Sequence, residues 1–221
     1  MPSTSPNPSD DARRPSLSFW FDPASTYAYL SAMRIEDLAA AAQVRVVVKP
    51  FLLGPIFQSQ GWDTSPFNIY PAKGRYMVRD VERVAKSRGV TFAMPKTFPA
   101  HSVAAARAVI VADENGRGLA MACALFDAQF ARGQDISDPA TLSACARRVG
   151  LSSDDVLDAI AMDRIKRLLR TQTDAAAAAG IFGAPTFVTD DGEVFWGDDR
   201  LEMAFTWALT CARRPSEPET L

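Results

Sequence analysis

Ser25 stands where two sequence patterns meet. Residues 17–21 form a short apolar run typical of a buried strand, and after Ser25 apolar residues recur at helical spacing through Leu38. A serine at this junction lies at the N-terminus of the helix, where free backbone N–H groups and the helix dipole favour a negative charge. Ser25 is therefore a candidate for stabilising a bound anion. The alternative is that its hydroxyl only caps the helix.

Pro185 is the second residue in an unusual place. It follows Gly183-Ala184 and opens an apolar run, residues 186–189, that is typical of a strand. A proline there removes a hydrogen-bond donor and fixes φ, so it indicates an edge position, a bulge or a cis peptide bond. With a cis bond, the backbone of Ala184 would be presented edge-on to an extended peptide. An ordinary proline at a strand edge is the alternative.

A second strand follows the first helix. Val44 to Val48 is rich in β-branched residues and is ended by Pro50. A strand, a helix of about four turns and a strand make a βαβ unit, which crosses right-handed and pairs its strands in parallel. Beyond it, residues 55–70 contain Gly-Pro and Ser-Pro breakers, so we predict an irregular stretch there.

The rest of the chain alternates helical patterns with turn signals. Helices are predicted from about Lys73 to Arg88 and, with breaks, from Ser102 to about Gln172. The breaks and helix starts are Asn115-Gly116, Asp138-Pro139, Gly150 and a capping box from Ser152 to Asp155. A hairpin over residues 186–196 is predicted to turn at residues 190–192, and the last helix runs from Leu201 to Cys211.

The order βαβ, helices, ββα predicts the fold class. It is an α/β fold, thioredoxin-like and interrupted by an all-helical insertion. The predicted divisions are a disordered tail at residues 1–15, a discontinuous thioredoxin-like domain at 16–54 and 177–214, a helical insertion domain at 55–176 and a flexible C-terminus at 215–221. The tail is predicted because it has few apolar side chains to bury.

The composition narrows the classes of function. A net charge of −2 in 221 residues argues against nucleic-acid binding and leaves small molecules as the expected partners. No apolar run approaches the roughly 20 residues of a membrane span, and residues 1–15 lack the apolar segment of a signal peptide, so we expect a cytoplasmic protein without a membrane partner. Cys123, Cys145 and Cys211 are odd in number and widely spaced, which favours structural thiols over disulfides or a metal site.

Five segments carry a resemblance to a known family: residues 25–30 (STYAYL), 49–54 (KPFLLG), 71–76 (PAKGRY), 182–187 (FGAPTF) and 196–201 (WGDDRL). In this order they resemble the 2-hydroxychromene-2-carboxylate isomerases. That family is similar to the kappa class of glutathione transferases, within the DsbA-like branch of thioredoxin folds. The resemblance runs from about Leu17 to Ala212.

The resemblance implies that glutathione is the cofactor, that Ser25 activates its thiol as the catalytic residue, and that the protein is a homodimer. Thioredoxin-like oxidoreductases carry Cys-x-x-Cys where this chain has Ser25-Thr26-Tyr27-Ala28, so dithiol exchange is excluded at this place. By the same resemblance, Ala184 and Pro185 bind the cysteinyl part of glutathione. Asp198 and Asp199 bind its γ-glutamyl part, with a helix cap as the alternative.

The implied substrate is an aromatic oxo-acid. Lys49 and Arg75 are candidates for holding its carboxylate, because charge-assisted contacts orient such a group. Trp62 and Tyr76 are candidates for contact with its ring, and packing is their alternative role. The chain departs from the common family pattern where Trp62 replaces an asparagine and Thr26 replaces a proline.

The function expected from the resemblance is a glutathione-dependent isomerase in aromatic catabolism. It would convert 2-hydroxychromene-2-carboxylate-type hemiketals to trans-o-hydroxybenzylidenepyruvate-type products. One alternative is a kappa-like glutathione transferase that conjugates an electrophile. Another is a glutathione-binding protein of thioredoxin fold without turnover.

Overall fold

A computed structural model describes residues 14–62 and 64–212 of the protein. It contains one four-stranded sheet with the strand order β2-β1-β3-β4. Strand β1 (Ser16–Phe21) pairs in parallel with β2 (Arg45–Pro50) and antiparallel with β3 (Thr186–Thr189), which in turn pairs antiparallel with β4 (Val194–Trp196). The predicted βαβ and ββα units are therefore confirmed, and β1 and β3 join them in the middle of the sheet.

The helices lie after β1, between β2 and β3, and after β4. In chain order they are α1 Thr26–Ala42, α2 Leu53–Ser59, α3 Pro66–Ile69, α4 Pro71–Ser87, α5 Val103–Asp113, α6 Gly118–Phe126, α7 Pro139–Arg148, α8 Ser153–Ala161, α9 Asp163–Ala178 and α10 Leu201–Ala212, with a π-helical turn at Asp127–Ala131 and a 3₁₀ turn at Asp198–Arg200. The helices between β2 and β3 agree with the predicted helical insertion. The division into domains stays a prediction.

Local sequence signals start several of these helices. Asp138 Oδ1 accepts a hydrogen bond of 3.0 Å from the N–H of Ala140, and Pro139 occupies the first position of α7. Ser152 Oγ accepts a bond of 3.3 Å from the N–H of Asp155 at the start of α8. Each cap satisfies a donor that has no partner within its helix. Both predicted helix starts are confirmed.

The prediction of an irregular stretch at residues 55–70 is wrong, because α2 and α3 lie there. Pro55 falls in the first turn of α2, where a proline removes no intrahelical hydrogen bond. Tertiary contacts hold the short helix: the N–H of Leu53 donates to Asp22 Oδ2 at 2.9 Å, and Ile56 is 4% exposed in the core. Distant residues therefore override the local breakers.

The core lies on both faces of the sheet, because successive residues of a strand point to opposite faces. Phe19 and Phe21 pack on one face in a large cluster that includes Tyr29 of α1. Trp20 packs on the other face with Phe51 and Ile181. The C-terminal end of β1 is thus enclosed from both sides, which gives the residues that follow it a firm base.

Two of the predicted divisions fall largely outside the described residues. Of the tail at residues 1–15 only Arg14 and Pro15 are described, and the C-terminus at 215–221 lies entirely beyond them. Within the described ranges, no helix is long and apolar enough to cross a bilayer.

Candidate active site

Ser25 is the N-cap residue of α1. Its backbone is extended, with φ −83° and ψ 120°, and its Oγ accepts a bond of 3.3 Å from the N–H of Ala28. The same hydroxyl donates to the carbonyl oxygen of Ala184 at 3.1 Å. A hydroxyl has one donor and two acceptor positions, so it can make both bonds at once. The capping role is confirmed, and the hydroxyl also faces the segment before β3.

The Ala184–Pro185 peptide bond is cis. The carbonyl of Ala184 is taken by Ser25, whereas its N–H has no hydrogen-bond partner within residues 14–62 and 64–212. The carbonyl of Pro185 accepts from the N–H of Gly197 at 3.0 Å. One short segment therefore contacts the start of α1 on one side and the loop after β4 on the other.

An aromatic pair covers this segment. The rings of Phe182 and Trp196 meet edge to face with centroids 4.8 Å apart, and both are exposed. Gly183 lies beneath the indole: a Cβ at this position would be 2.4 Å from Trp196 Nε1. Only glycine leaves room for that approach, so residue 183 determines where the indole lies.

Asp22 supports the turn into α1, and sequence reasoning missed it. Its buried carboxylate accepts 2.9 Å bonds from the N–H groups of Ala24 and Leu53, and its backbone carbonyl accepts from the N–H of Ser25 at 2.9 Å. Burial raises the pKa of this carboxyl, against the lowering effect of its hydrogen bonds. The signal that could have revealed it is an aspartate directly after a buried strand, where it forms an Asx turn.

The structure separates the two adjacent aspartates after β4. Asp198 is 5% exposed, and its carboxylate accepts from Arg88 at 2.7 Å and from the hydroxyl of Ser31 at 2.9 Å. Asp199 is exposed, and its carboxylate pairs with the neighbouring Arg200 at 2.9 Å. They are equivalent in the sequence but differ in their access to a ligand.

Helix α4 lies against the start of α1. Thr26 Oγ1 donates to Met77 Sδ at 3.3 Å, and Tyr27 Oη donates to Asp80 Oδ2 at 2.9 Å. Burial, followed by the hydrogen bond to Asp80, raises the pKa of Tyr27. Burial alone would raise the pKa of Asp80, but hydrogen bonds led by that from Arg83 outweigh it and lower this pKa. Thr26 thus contributes a side-chain contact where the family pattern has a proline.

The four predicted substrate residues are not gathered around Ser25. Tyr76 is 61% exposed on α4, and its hydroxyl donates to Asp80 at 3.4 Å, which connects it indirectly to Tyr27. The other three, within the described chain, make no hydrogen bond, ion pair or ring contact to Ser25 or Ala184; they are Lys49, Trp62 and Arg75.

Each of these three has its own surroundings. Lys49 lies near Asp113. Burial raises the pKa of Asp113, and the positive charge of Lys49 lowers it by a smaller amount. The ring of Trp62 packs on Phe57 with centroids 5.9 Å apart. This contact agrees with the packing role that is the alternative to contact with a substrate ring. Arg75 is exposed on α4 and forms no ion pair within the described chain. Their roles toward a substrate stay predictions.

The cysteines lie away from this site. Cys145 is buried, and Cys123 and Cys211 are half-buried. Burial raises the pKa of Cys123 to about 12 and also raises that of Cys145. A thiol with such a pKa is protonated and poorly nucleophilic at neutral pH. Position 25 is serine and position 28 is alanine, so a reactive sulfur at this site has to come from a ligand.

Comparisons with known proteins find similar proteins over most of the chain. The chain is 28% identical over 197 residues to a 2-hydroxychromene-2-carboxylate isomerase of Sphingobium xenophagum, covering 87% of this chain and 97% of that protein. It is 26% identical over 200 residues to glutathione S-transferase kappa 1 of Homo sapiens, covering 85% and 88%. A solved structure of 2-hydroxychromene-2-carboxylate isomerase matches with a TM-score of 0.78 at 23% identity, covering 90% and 96%.

These similarities confirm the resemblance inferred from the five sequence segments, and the solved structure confirms the fold. A family model described as a DSBA-like thioredoxin domain matches residues 16–205, which is most of the chain. The β1–α1 junction with Ser25 and the cis-proline segment before β3 both fall inside that match. The chain therefore belongs to the DSBA-like thioredoxin domain family.

Proposed function

We propose that the protein is a glutathione-dependent isomerase that acts on 2-hydroxychromene-2-carboxylate-type hemiketals in aromatic catabolism and yields trans-o-hydroxybenzylidenepyruvate-type products. The observation that carries the proposal is the pairing of Ser25 with Ala184 beside a cis proline, at the N-terminus of a 17-residue helix. A hydroxyl donor and a helix N-terminus at one place favour a thiolate.

Three groups of the chain fit glutathione. Among the described residues, the backbone N–H of Ala184 has no hydrogen-bond partner. It lies beside Pro185 and can donate to the cysteinyl unit. The Ser25 hydroxyl, which has a single hydrogen, can donate to a thiolate when it turns from the carbonyl of Ala184. The exposed carboxylate of Asp199 is available to a γ-glutamyl ammonium group. Two donors and one negative charge therefore match the backbone and thiolate of the cysteinyl unit and the ammonium group of the γ-glutamyl unit.

Ser25 acts on the ionisation of the bound thiol. A free thiol has a pKa near 8.5 and is mostly protonated at neutral pH. Lowering that pKa by about one unit raises the reactive fraction roughly tenfold. Ser25 is thus an activator and not a nucleophile. Its bond to Ala184 in the unliganded protein places the hydroxyl beside the cis-proline segment, and a bound thiolate would take over its hydrogen.

Glutathione, when bound, supplies a thiolate whose reversible addition to the conjugated alkene of the ring-opened substrate turns a double bond into a single bond, permits rotation and restores the alkene on elimination. The chain's own residues bind and orient. Tyr76 and Arg75 on α4, with Lys49 and Trp62, are the proposed contacts for the aromatic ring and the carboxylate of the substrate.

A glutathione transferase is the second candidate function, because the human kappa-class relative covers almost as much of the chain as the isomerase does. In that reaction the thiol remains on an electrophile. Both candidates use Ser25, Ala184 and Asp199 in the same way. They differ in whether glutathione is consumed.

The test combines binding and product analysis. Calorimetry of glutathione with the wild type and Ser25→Ala precedes chromatography of 2-hydroxychromene-2-carboxylate incubated with substoichiometric glutathione. We expect binding, and isomerisation that depends on Ser25 and conserves glutathione. Consumption of glutathione into an adduct would favour the transferase, and binding without any turnover would favour a non-catalytic binding protein. Absence of binding would overturn the proposal.

We also propose that the protein is a cytoplasmic homodimer. The dimer is supported by the family resemblance and by large apolar side chains that are exposed in a single copy, such as Trp196 and Met203. Light scattering coupled to size-exclusion chromatography measures the mass in solution. A monomeric mass at working concentration would contradict the dimer.

A further inference from the structure

Asp198 lies where three helices meet. Its Oδ2 accepts from Arg88 at the end of α4 at 2.7 Å. Its Oδ1 accepts from the hydroxyl of Ser31 on α1 at 2.9 Å and from Arg34 on α1 at 3.4 Å. The side chain is 6% exposed. Both carboxylate oxygens are therefore occupied by groups of the protein itself.

Arg34 extends this cluster to the backbone and to α10. Its second guanidinium nitrogen donates to the carbonyl oxygen of Asp198 at 2.7 Å, and its first pairs with Glu202 on α10. The two arginines and the two carboxylates balance in charge. Asp198 is the buried member of this cluster, so removal of an arginine partner leaves a buried carboxylate with less compensation. We name the three residues Arg34, Arg88 and Asp198 the arginine clamp.

The neighbouring Asp199 faces the other way. Its side chain is 72% exposed, and its carboxylate lies against Gly197, where a Cβ would be 2.7 Å from Asp199 Oδ1. Gly197 has a φ of +108°, which favours glycine, and its N–H donates to Pro185. The Asp199 carboxylate is thus next to the residue that bonds the cis-proline segment.

We propose that Asp198 is a positioning residue rather than a ligand contact, and that the arginine clamp holds the 197–200 turn so that Asp199 alone receives the ammonium group of the γ-glutamyl unit. This rests on the proposed use of glutathione. Helix α4 also contacts Thr26 and Tyr27 through Met77 and Asp80. The same helix therefore contacts both the start of α1 and, through Arg88, the 197–200 turn.

Two ligands test the division of roles: glutathione, and glutaryl-cysteinyl-glycine, which lacks only the α-amino group. Calorimetry gives both dissociation constants for the wild type and for Asp199→Asn, Asp198→Asn and Arg88→Met. Arg164→Met is the matched control, because Arg164 forms an interhelical pair with Glu114 that takes no part in the clamp. Thermal melts show whether each variant is folded.

We expect Asp199→Asn to weaken glutathione about tenfold and to leave the deamino ligand unchanged, because one charge-assisted contact is lost. Asp198→Asn and Arg88→Met should weaken both ligands, because a loosened turn misplaces every contact that it makes. Hydrogen exchange of residues 197–200 in the unliganded protein should speed up in these two variants. Arg164→Met should change neither binding nor this exchange.

Asp198→Asn would overturn the proposal if it weakened glutathione alone, since Asp198 would then be the ammonium contact. Unchanged binding of both ligands by folded Arg88→Met would overturn it as well, and this variant suffices if Asp198→Asn does not fold. If the wild type binds the deamino ligand as tightly as glutathione, Asp199 does not bind the ammonium group and the inference is overturned. The proposed use of glutathione would survive this result. If neither ligand binds the wild type, the proposed function fails together with this inference.

Discussion

The hydroxyl of Ser25 donates to the carbonyl of Ala184 at 3.1 Å, across 159 positions of the chain. This bond joins the βαβ unit to the ββα unit at the end of the sheet where β1 feeds α1. Everything that lies between them in the sequence is predominantly helical. The candidate site therefore forms only when β1 and β3 pair.

Ser25→Ala is expected to impair both the helix cap and the ionisation of a bound thiol. Ser152 provides a matched control, because its hydroxyl caps α8 with the same 3.3 Å geometry. Both substitutions should cost about 1 kcal/mol of unfolding free energy. Only Ser25→Ala should raise the pKa of bound glutathione, by about one unit, measured from the ultraviolet absorbance of the thiolate. An equal pKa in both variants would contradict the activator role.

Gly183→Ala is expected to displace the indole of Trp196. The added Cβ would lie 2.4 Å from Trp196 Nε1, so the ring or the cis-proline segment has to move, at a cost of about 1–3 kcal/mol. Glutathione affinity should fall with it. Gly54→Ala on α2 is the control, because nothing lies within 4 Å of its Cβ position. Denaturant unfolding measures both, and equal stability of the two variants would disprove the close approach.

Tyr27→Phe is expected to lower the unfolding free energy by about 1 kcal/mol at neutral pH, because the hydrogen bond to Asp80 is lost. The folded-state pKa of Asp80 is below its ordinary 3.8, so this stabilisation is complete above pH 3.8 and is lost as the pH falls through the folded value. The folded-state pKa of Tyr27 is above its ordinary 10.0. The stabilisation is therefore complete below pH 10.0 and is lost as the pH rises through the folded-state pKa.

The difference between wild type and Tyr27→Phe should therefore be largest at neutral pH and shrink toward both extremes. Urea unfolding across the pH range measures it. Tyr70→Phe serves as the control, since Tyr70 is exposed and contacts Lys73 only through its ring. A difference that does not vary with pH would show that Tyr27 contributes through packing instead of through Asp80.

Cys123 is expected to resist alkylation in the native protein. Burial raises its pKa to about 12, so the thiolate that reacts with iodoacetamide is scarce at neutral pH. Cys145 should behave in the same way, because burial raises its pKa too. Mass spectrometry of peptides from native and guanidinium-denatured samples makes the comparison. Rapid labelling of Cys123 in the native protein would contradict its burial. Treatment of the native protein with iodoacetamide should leave glutathione binding unchanged.

Local signals predicted much of the fold. The predicted hairpin turn at residues 190–192 is confirmed: the N–H of Gly192 donates to the carbonyl oxygen of Thr189 at 2.9 Å, and Gly192 has a φ of +83°. Asp138 and Ser152 start their helices as predicted. Such features depend on neighbours within a few residues, and the sequence displays them directly. Helix α2 was missed because Asp22 and the core around Ile56 hold it from a distance.

The amino-acid sequence by itself determined the order of the four strands, the position of most helices, the serine at the start of α1, the proline before β3 and the absence of a Cys-x-x-Cys pair at residues 25–28. These follow from residue types and short-range periodicity. The tertiary structure alone decided that Asp198 is enclosed by two arginines while Asp199 stays exposed, and that the Asp22 carboxylate accepts from the N–H of Leu53. The physical reason is that burial and charge pairing arise between residues far apart in the chain, which adjacent letters cannot reveal.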